Sequence, residues 1–220
     1  MSIPPDLLDT ITTGDARELA ARIPDNSIDL IFTDPPYLKE YLWCYEWLAE
    51  TAARVLKPDC LCLAMCGQSW LPEIYRVMSL HLRYHWTFNL DTPGVACNLW
   101  DRRLATKWKP ILSFVRGKYT GRMFGTDVVR SDLSDKRFHD WGQNISSAIW
   151  FIERAQGIIF DPFMGGGTTA AACRILNRHY IGFEIDPDTA ERARRRVALT
   201  QVPLPLEMPG GSGVKLGRRR

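Results

Sequence analysis

Residues 158–176 read IIFDPFMGGGTTAAACRIL, and this run constrains the fold more than any other part of the chain. A strand-length apolar segment passes through Asp161-Pro162-Phe163-Met164 into three consecutive glycines and then into a helix-forming stretch. Glycine reaches positive φ and lets a ligand approach the backbone closely. The helix start beyond it presents N–H groups with no partner in the helix, with Thr168 and Thr169 available as caps. In an open α/β sheet, ligands bind outside the carboxyl ends of such strands. The next strand ends in Gly182-Phe183-Glu184-Ile185-Asp186, and Glu184 directly follows its apolar residues. A carboxylate there is suited to accept hydrogen bonds from ribose hydroxyls. The run is not G-x-G-x-x-G, so the nicotinamide fingerprint fails. The absence of G-K-[ST] argues against an ATPase.

The rest of the chain alternates in the same way. Residues 15–22, 43–56, 71–81, 145–155, 168–176 and 187–198 read as helices. Residues 27–33, 60–66, 85–90, 111–115, 158–160 and 180–183 read as strands, several of them short apolar runs of the buried kind. Such alternation predicts an α/β domain over residues 1–200 with a mostly parallel sheet. Residues 116–142 are polar and glycine-containing and read as a loop or small insertion. Residues 201–220 are rich in Pro and Gly, end in Arg218-Arg219-Arg220, and read as a flexible basic tail.

Hydrophobic residues make up 45% of the 220 and charged residues 24%, a globular balance. The net charge of +3 does not mark a nucleic-acid binder by itself, so any such surface must arise from local clustering. No apolar run reaches the ~18–20 residues of a membrane span, and residues 1–9 do not resemble a secretory signal. The six cysteines lack C-x-x-C spacing and the four histidines add no recognisable ligand set, so no metal site is expected. Reduced cysteines in a cytoplasmic protein are the expectation.

A second constellation, Asp34-Pro35-Pro36-Tyr37, follows the strand SIDLIFT. Two prolines fix φ and remove two N–H groups, and the residue before a proline is pushed to extended geometry. The turn therefore gathers the Asp34 carboxylate and carbonyl oxygens into an acceptor-only cluster, suited to a substrate that presents an amino group. Tyr37 adds a flat face on which a base can stack. A stiff local turn with Tyr37 as packing is the plainer alternative for the tetrapeptide alone.

Taken together, these motifs resemble those of the β class of DNA amino-methyltransferases. Asp34-Pro35-Pro36-Tyr37 matches that family's catalytic motif, and residues 161–169 match its cofactor motif. GDARELAARIPDNSIDLIFTDPPY, RVLKPD and RHYIGFEIDP are further matches. The catalytic motif precedes the cofactor motif, the permuted order of this class, and the resemblance spans residues 10–198. It implies a seven-stranded sheet with both motifs at adjacent strand ends, and S-adenosylmethionine as methyl donor. It implies that Asp161, Phe163, Gly165, Gly166, Gly167, Thr168 and Thr169 line the methionine and ribose region, that Glu184 holds the ribose hydroxyls, and that Asp15 lies near the cofactor's adenine. Asp34 and the Pro35 carbonyl would hold the target amino group, with Pro36 stiffening the turn and Tyr37 stacking on a flipped base.

Asp at position 34 favours N6 of adenine over N4 of cytosine within the family. Methyltransferases acting on RNA bases or glutamine side chains share related motifs but generally place the cofactor motif first. A non-catalytic binding module would be expected to have lost one of the two motifs. Two departures stand out: Met164 occupies a position usually held by a smaller residue, and HDWGQN (residues 139–144) replaces the His-Pro…Lys-Pro segment of many relatives.

Arg102, Arg103, Lys107 and Lys109, interleaved with Trp100 and Trp108, and then Arg122 and Arg130, make a candidate face for DNA phosphates and unstacked bases. The recognition insert near 116–142 is short. A few side chains discriminate only by ~1–3 kcal/mol per bidentate contact, so a short or relaxed target, a homodimer, or a companion recognition protein is expected. A pairing with a restriction nuclease is in keeping with the family.

Overall fold

The computed structural model describes residues 2–91, 97–130 and 145–202. Its strands are β1 (Thr10–Thr13), β2 (Ile28–Thr33), β3 (Leu56–Met65), β4 (Arg83–Asp91), β5 (Cys97–Leu99), β6 (Leu104–Thr106), β7 (Trp108–Val115), β8 (Val128–Arg130), β9 (Ile158–Asp161) and β10 (His179–Glu184). The helices are α1 (Ala16–Leu19), α2 (Leu42–Val55), α3 (Leu71–Met78), α4 (Ile145–Ile152), α5 (Thr168–Ile175) and α6 (Pro187–Leu199).

Eight strands form one sheet in the order β1-β10-β9-β2-β3-β7-β4-β8. The pairs β1/β10, β10/β9, β9/β2, β2/β3 and β4/β8 are parallel, and β7 runs antiparallel between β3 and β4. Successive side chains of β2 point to opposite faces. Leu30 and Phe32 therefore join Ala148, Phe151 and Ala172 of α4 and α5, while Ile31 joins Tyr45, Leu48 and Ala52 of α2. Burial on both faces explains why the central strands read as unbroken apolar runs.

The α/β expectation holds, with a small correction: among the described residues the sheet has eight strands instead of seven. The eighth, β8, lies inside the stretch read as loop, and residues 131–142 of that stretch, together with HDWGQN (residues 139–144), lie outside the described residues. Most of the predicted basic tail does too. A separate ribbon, β5–β6, projects from between β4 and β7. Helix α2 stops at Val55, one residue before the end of the stretch read as helix, and Leu56 opens β3, in which Asp59 stands at φ 63°.

One closure bears on the site. The first strand and the last helix meet: Arg194 of α6 donates from Nε to the Ile11 carbonyl (3.0 Å) and from Nη2 to Thr13 Oγ1 (2.5 Å). Beside them, the Gly14 N–H donates to the Glu184 carbonyl (2.9 Å). Among the described residues no helix is long and apolar enough to cross a membrane.

Candidate active site

The carboxyl ends of β1, β10, β9 and β2 lie side by side, and every turn singled out from the sequence leaves one of them. Register places Thr13 beside Glu184, Gly182 beside Asp161, and Ile31 beside Phe160. Asp15, Glu184, the glycine turn and Asp34 thus share one edge of the sheet. A cavity of about 290 Å³ lined by Asp29, Tyr119, Phe124 and Arg154 opens instead beside the amino ends of β2 and β3, away from this edge.

The turn after β2 is open. Asp34 keeps 46% of its side chain exposed, while Pro35 is buried beneath it. The Tyr37 hydroxyl donates to Asp34 Oδ1. Burial first, and the Asp34 carboxylate second, push the Tyr37 phenol well above its usual value, so it stays protonated and serves as a donor. Lys109, at the start of β7, donates from Nζ to Asp34 Oδ2 at 3.5 Å and sits 5.0 Å from the centroid of the Tyr37 ring. Gly67 follows β3; a side chain there would come within 3.4 Å of Tyr37 Cβ, so its absence lets the ring lie against the backbone.

The turn after β9 is closed around its acid. Asp161 is 3% exposed. It accepts from the hydroxyls of Thr33 and Thr169, both at 2.6 Å, and from the Phe163 N–H at 3.1 Å. Burial raises its pKa to about 6, against the opposing effect of these donors. Thr33 directly precedes Asp34, so this bond ties the acceptor turn to the glycine turn. The two threonines do not cap α5 as expected. Gly167 occupies the cap position without a side-chain bond, Thr169 points inward to Asp161, and Thr168 Oγ1 accepts from Arg196 Nη1 (2.9 Å), which also bonds the Gly166 carbonyl (3.0 Å).

Gly165 and Gly167 have φ of 50° and 78°, conformations that a side chain strains. At Gly167 a Cβ would also press on Ala193 of α6 at 3.0 Å. At Gly165 and Gly166 it would meet nothing closer than 3.8 Å, so the backbone there faces open space. Glu184 spans the opening: its Oε2 accepts from the Gly165 N–H (2.8 Å) and its Oε1 from the Asp186 N–H (2.9 Å). Each oxygen retains a lone pair for a hydroxyl donor. Met164, the unusual residue, is accommodated by Gly182, where a Cβ would fall 2.3 Å from the Met164 methyl. Phe163 packs edge-on against Trp47 of α2. Asp15 caps α1 and pairs with Arg17 (2.6 Å), which holds its carboxyl below the usual range; Arg17 in turn lies over the Trp43 ring.

The basic residues divide. Arg103 closes the turn at the tip of the β5–β6 ribbon, beside Arg102 and a Trp100 that is 82% exposed. At the ribbon's base, Gln68 Nε2 donates to Thr106 Oγ1 (2.7 Å) and the Trp108 carbonyl (2.6 Å), fixing it to the wall that carries Tyr37. Lys107 lies between the ribbon and β7. Arg122 is exposed, and Arg130 pairs with Asp91 (3.3 Å). Lys109, expected on phosphates, is found at Asp34. Thr33, Gly67, Gln68 and Arg196 were missed. Thr33 and Gly67 had a signal in their positions, one before Asp34 and one just past an apolar strand.

Residues 145–195, from α4 through most of α6, match the family model described as DNA methylase. The chain is 25% identical to the type II methyltransferase M.HpaI of Haemophilus parainfluenzae, over 84% of its own length and 72% of that protein's. Its fold is that of a putative DNA modification methylase from Thermus thermophilus, solved with S-adenosyl-L-methionine. The TM-score is 0.69 at 20% identity, covering 86% of this chain and 93% of that one. The cytosine-N4-specific PvuII DNA methyltransferase superposes with a TM-score of 0.70 at 18% identity, covering 85% and 87%.

Proposed function

We propose that this chain, a DNA methyltransferase of the N6/N4 family, transfers a methyl group from S-adenosylmethionine to N6 of adenine in DNA. One observation carries the reading: a half-exposed carboxylate at Asp34, in a turn whose prolines offer it no N–H, stands beside a glycine turn whose backbone faces open space, the two joined through Thr33 and Asp161.

The residues of the second turn fit the cofactor. Open backbone at Gly165 and Gly166 leaves room that a side chain would fill, and the Glu184 oxygens suit a ribose diol. Asp15 stands at the adenine side, with Phe163 as an apolar wall. Thr168, Thr169 and Asp161 shape the turn from behind. When bound, S-adenosylmethionine supplies a methyl group on a sulfonium, a strong electrophile.

The amino nitrogen of adenine is a weak nucleophile because its lone pair is delocalised into the ring. Asp34 and the Pro35 carbonyl accept its two N–H bonds, which favours the tetrahedral, nucleophilic form. Orientation against the methyl group then supplies much of the rate. Asp34 need not be a strong base, since the proton turns acidic as the N–C bond forms. A stacked base cannot reach this turn, so the base is flipped out or the substrate is single-stranded, with Tyr37 as its stacking face. Arg102, Arg103 and Lys107 on or beside the ribbon, with Arg122 and Arg130, place the DNA through phosphates. With so few base-reading side chains, the target is short or relaxed, or a second subunit or companion protein helps to read it.

Incubation with labelled S-adenosylmethionine and DNA, followed by nucleoside analysis, tests the assignment. N6-methyladenine is the expected product. N4-methylcytosine alone would reassign the base, the alternative that the PvuII likeness favours, and label confined to RNA or protein would reassign the substrate. Mapping modified positions on random-sequence DNA, with molar mass measured with and without DNA, tests the short target and the twin subunit.

A further inference from the structure

Both oxygens of the Asp34 carboxylate already have donors: the Tyr37 hydroxyl on Oδ1 and the Lys109 ammonium on Oδ2. Each oxygen keeps a second lone pair, so what an incoming amino group must displace is decided by the space around the turn and not by a lack of acceptor sites. The Tyr37 hydroxyl sits on a half-buried ring held against Gly67. Lys109 is the weaker occupant, at 3.5 Å, with a third of its side chain in solvent. Its charge also lies over the Tyr37 ring, where a base would stack. An ammonium that stayed would draw on the acceptor strength that the amino group needs.

We propose that Lys109 is a placeholder for the target amino group. It fills the acceptor turn while no base is present, and it leaves Oδ2 for a DNA phosphate when the base enters. The proposal rests on the functional reading above and adds a specific exchange at one oxygen. Lys109 begins the strand that follows the ribbon carrying Arg102 and Arg103, so its flexible four-carbon stem starts beside the groups that face the backbone of the DNA.

Opposite substitutions test it. Lys109→Met removes the competitor, so the fraction of complexes with the base engaged rises and kcat rises with it. The same variant loses a phosphate partner, so KM for DNA increases and the slope of log K against log salt falls by about 1. Lys109→Arg grips the carboxylate with a two-pronged donor that is harder to displace, so kcat falls below wild type. A lysine that worked in the transition state would show the reverse, with the Met variant losing about tenfold in kcat and kcat/KM together and the Arg variant rescuing it. That pattern overturns the proposal, as does an unchanged salt slope in DNA binding by the Met variant. A wild type that is inert on DNA removes the functional reading and this proposal with it, whereas an active wild type with either adverse pattern removes the proposal alone.

Discussion

Two Asp-Pro turns leave neighbouring parallel strands of this sheet, and they have opposite uses for the same acid. After β2, Asp34 stands half in solvent, held by a phenol and an ammonium. After β9, Asp161 is buried, held by two threonine hydroxyls and a backbone N–H. Local sequence sets the extended geometry of both. Neighbours decide the rest: Thr33 and Thr169 seal one carboxylate inside, while Pro35 and Pro36 offer no N–H to satisfy the other. One turn is left able to take a ligand, and the other braces it.

Substitutions can break this contrast. Asp34→Ala is expected to lower turnover by about 10²–10⁴-fold, the range for a positioned proton-handling group, while cofactor affinity measured by calorimetry and the melting temperature stay near wild type. Asp161→Ala strands two buried hydroxyls. It should cost about 2–4 kcal/mol in a denaturant titration and weaken cofactor binding and turnover together. A variant that kept its stability would show that Asp161 is not a brace.

The pH dependence sharpens the same point. Asp161 has its pKa raised to about 6 in the fold from the ordinary value of 3.8. Between these values the native state binds more proton than the unfolded chain, so this group's contribution is full below the lower value and is lost as pH rises through the upper one. Asp161→Asn should therefore remove a downward trend in stability between about pH 4 and 6, read as the difference between wild-type and variant denaturation curves. Thr33→Val, the mildest change, should cost about 1 kcal/mol by loss of one hydrogen bond, and Thr33→Ser should restore it.

Much of this arrangement was legible in the residues. Helix and strand periodicity gave the α/β alternation, and the two motifs stood out because glycine runs and paired prolines have few structural uses. What escaped depended on contacts distant in sequence. Lys109 looked like one more cation in a basic stretch; only the antiparallel insertion of β7 beside β3 brings it to Asp34, 75 residues earlier. Thr168 and Thr169 looked like caps because of where they stand, but the buried carboxylate of Asp161 and the Arg196 guanidinium are stronger partners. Strand β8 has three residues in a polar stretch, too few for a pattern to register.

The meeting of β1 with α6 has a consequence for how the chain matures. The strands that carry the acceptor turn and its lysine, β2, β3, β4 and β7, are all contained within residues 28–115 and can pair while later segments are still being synthesised. The glycine turn is different. Its floor is Ala193 and Arg196, its neighbour Glu184 is aligned by β1, and β1 is latched by Arg194. The β1 pairing and the Arg194 bonds join segments more than 170 residues apart, and such long loops close late. A nascent chain is therefore expected to assemble the half that carries the Asp34 turn first and to complete the glycine turn only when the arginine-rich helix emerges.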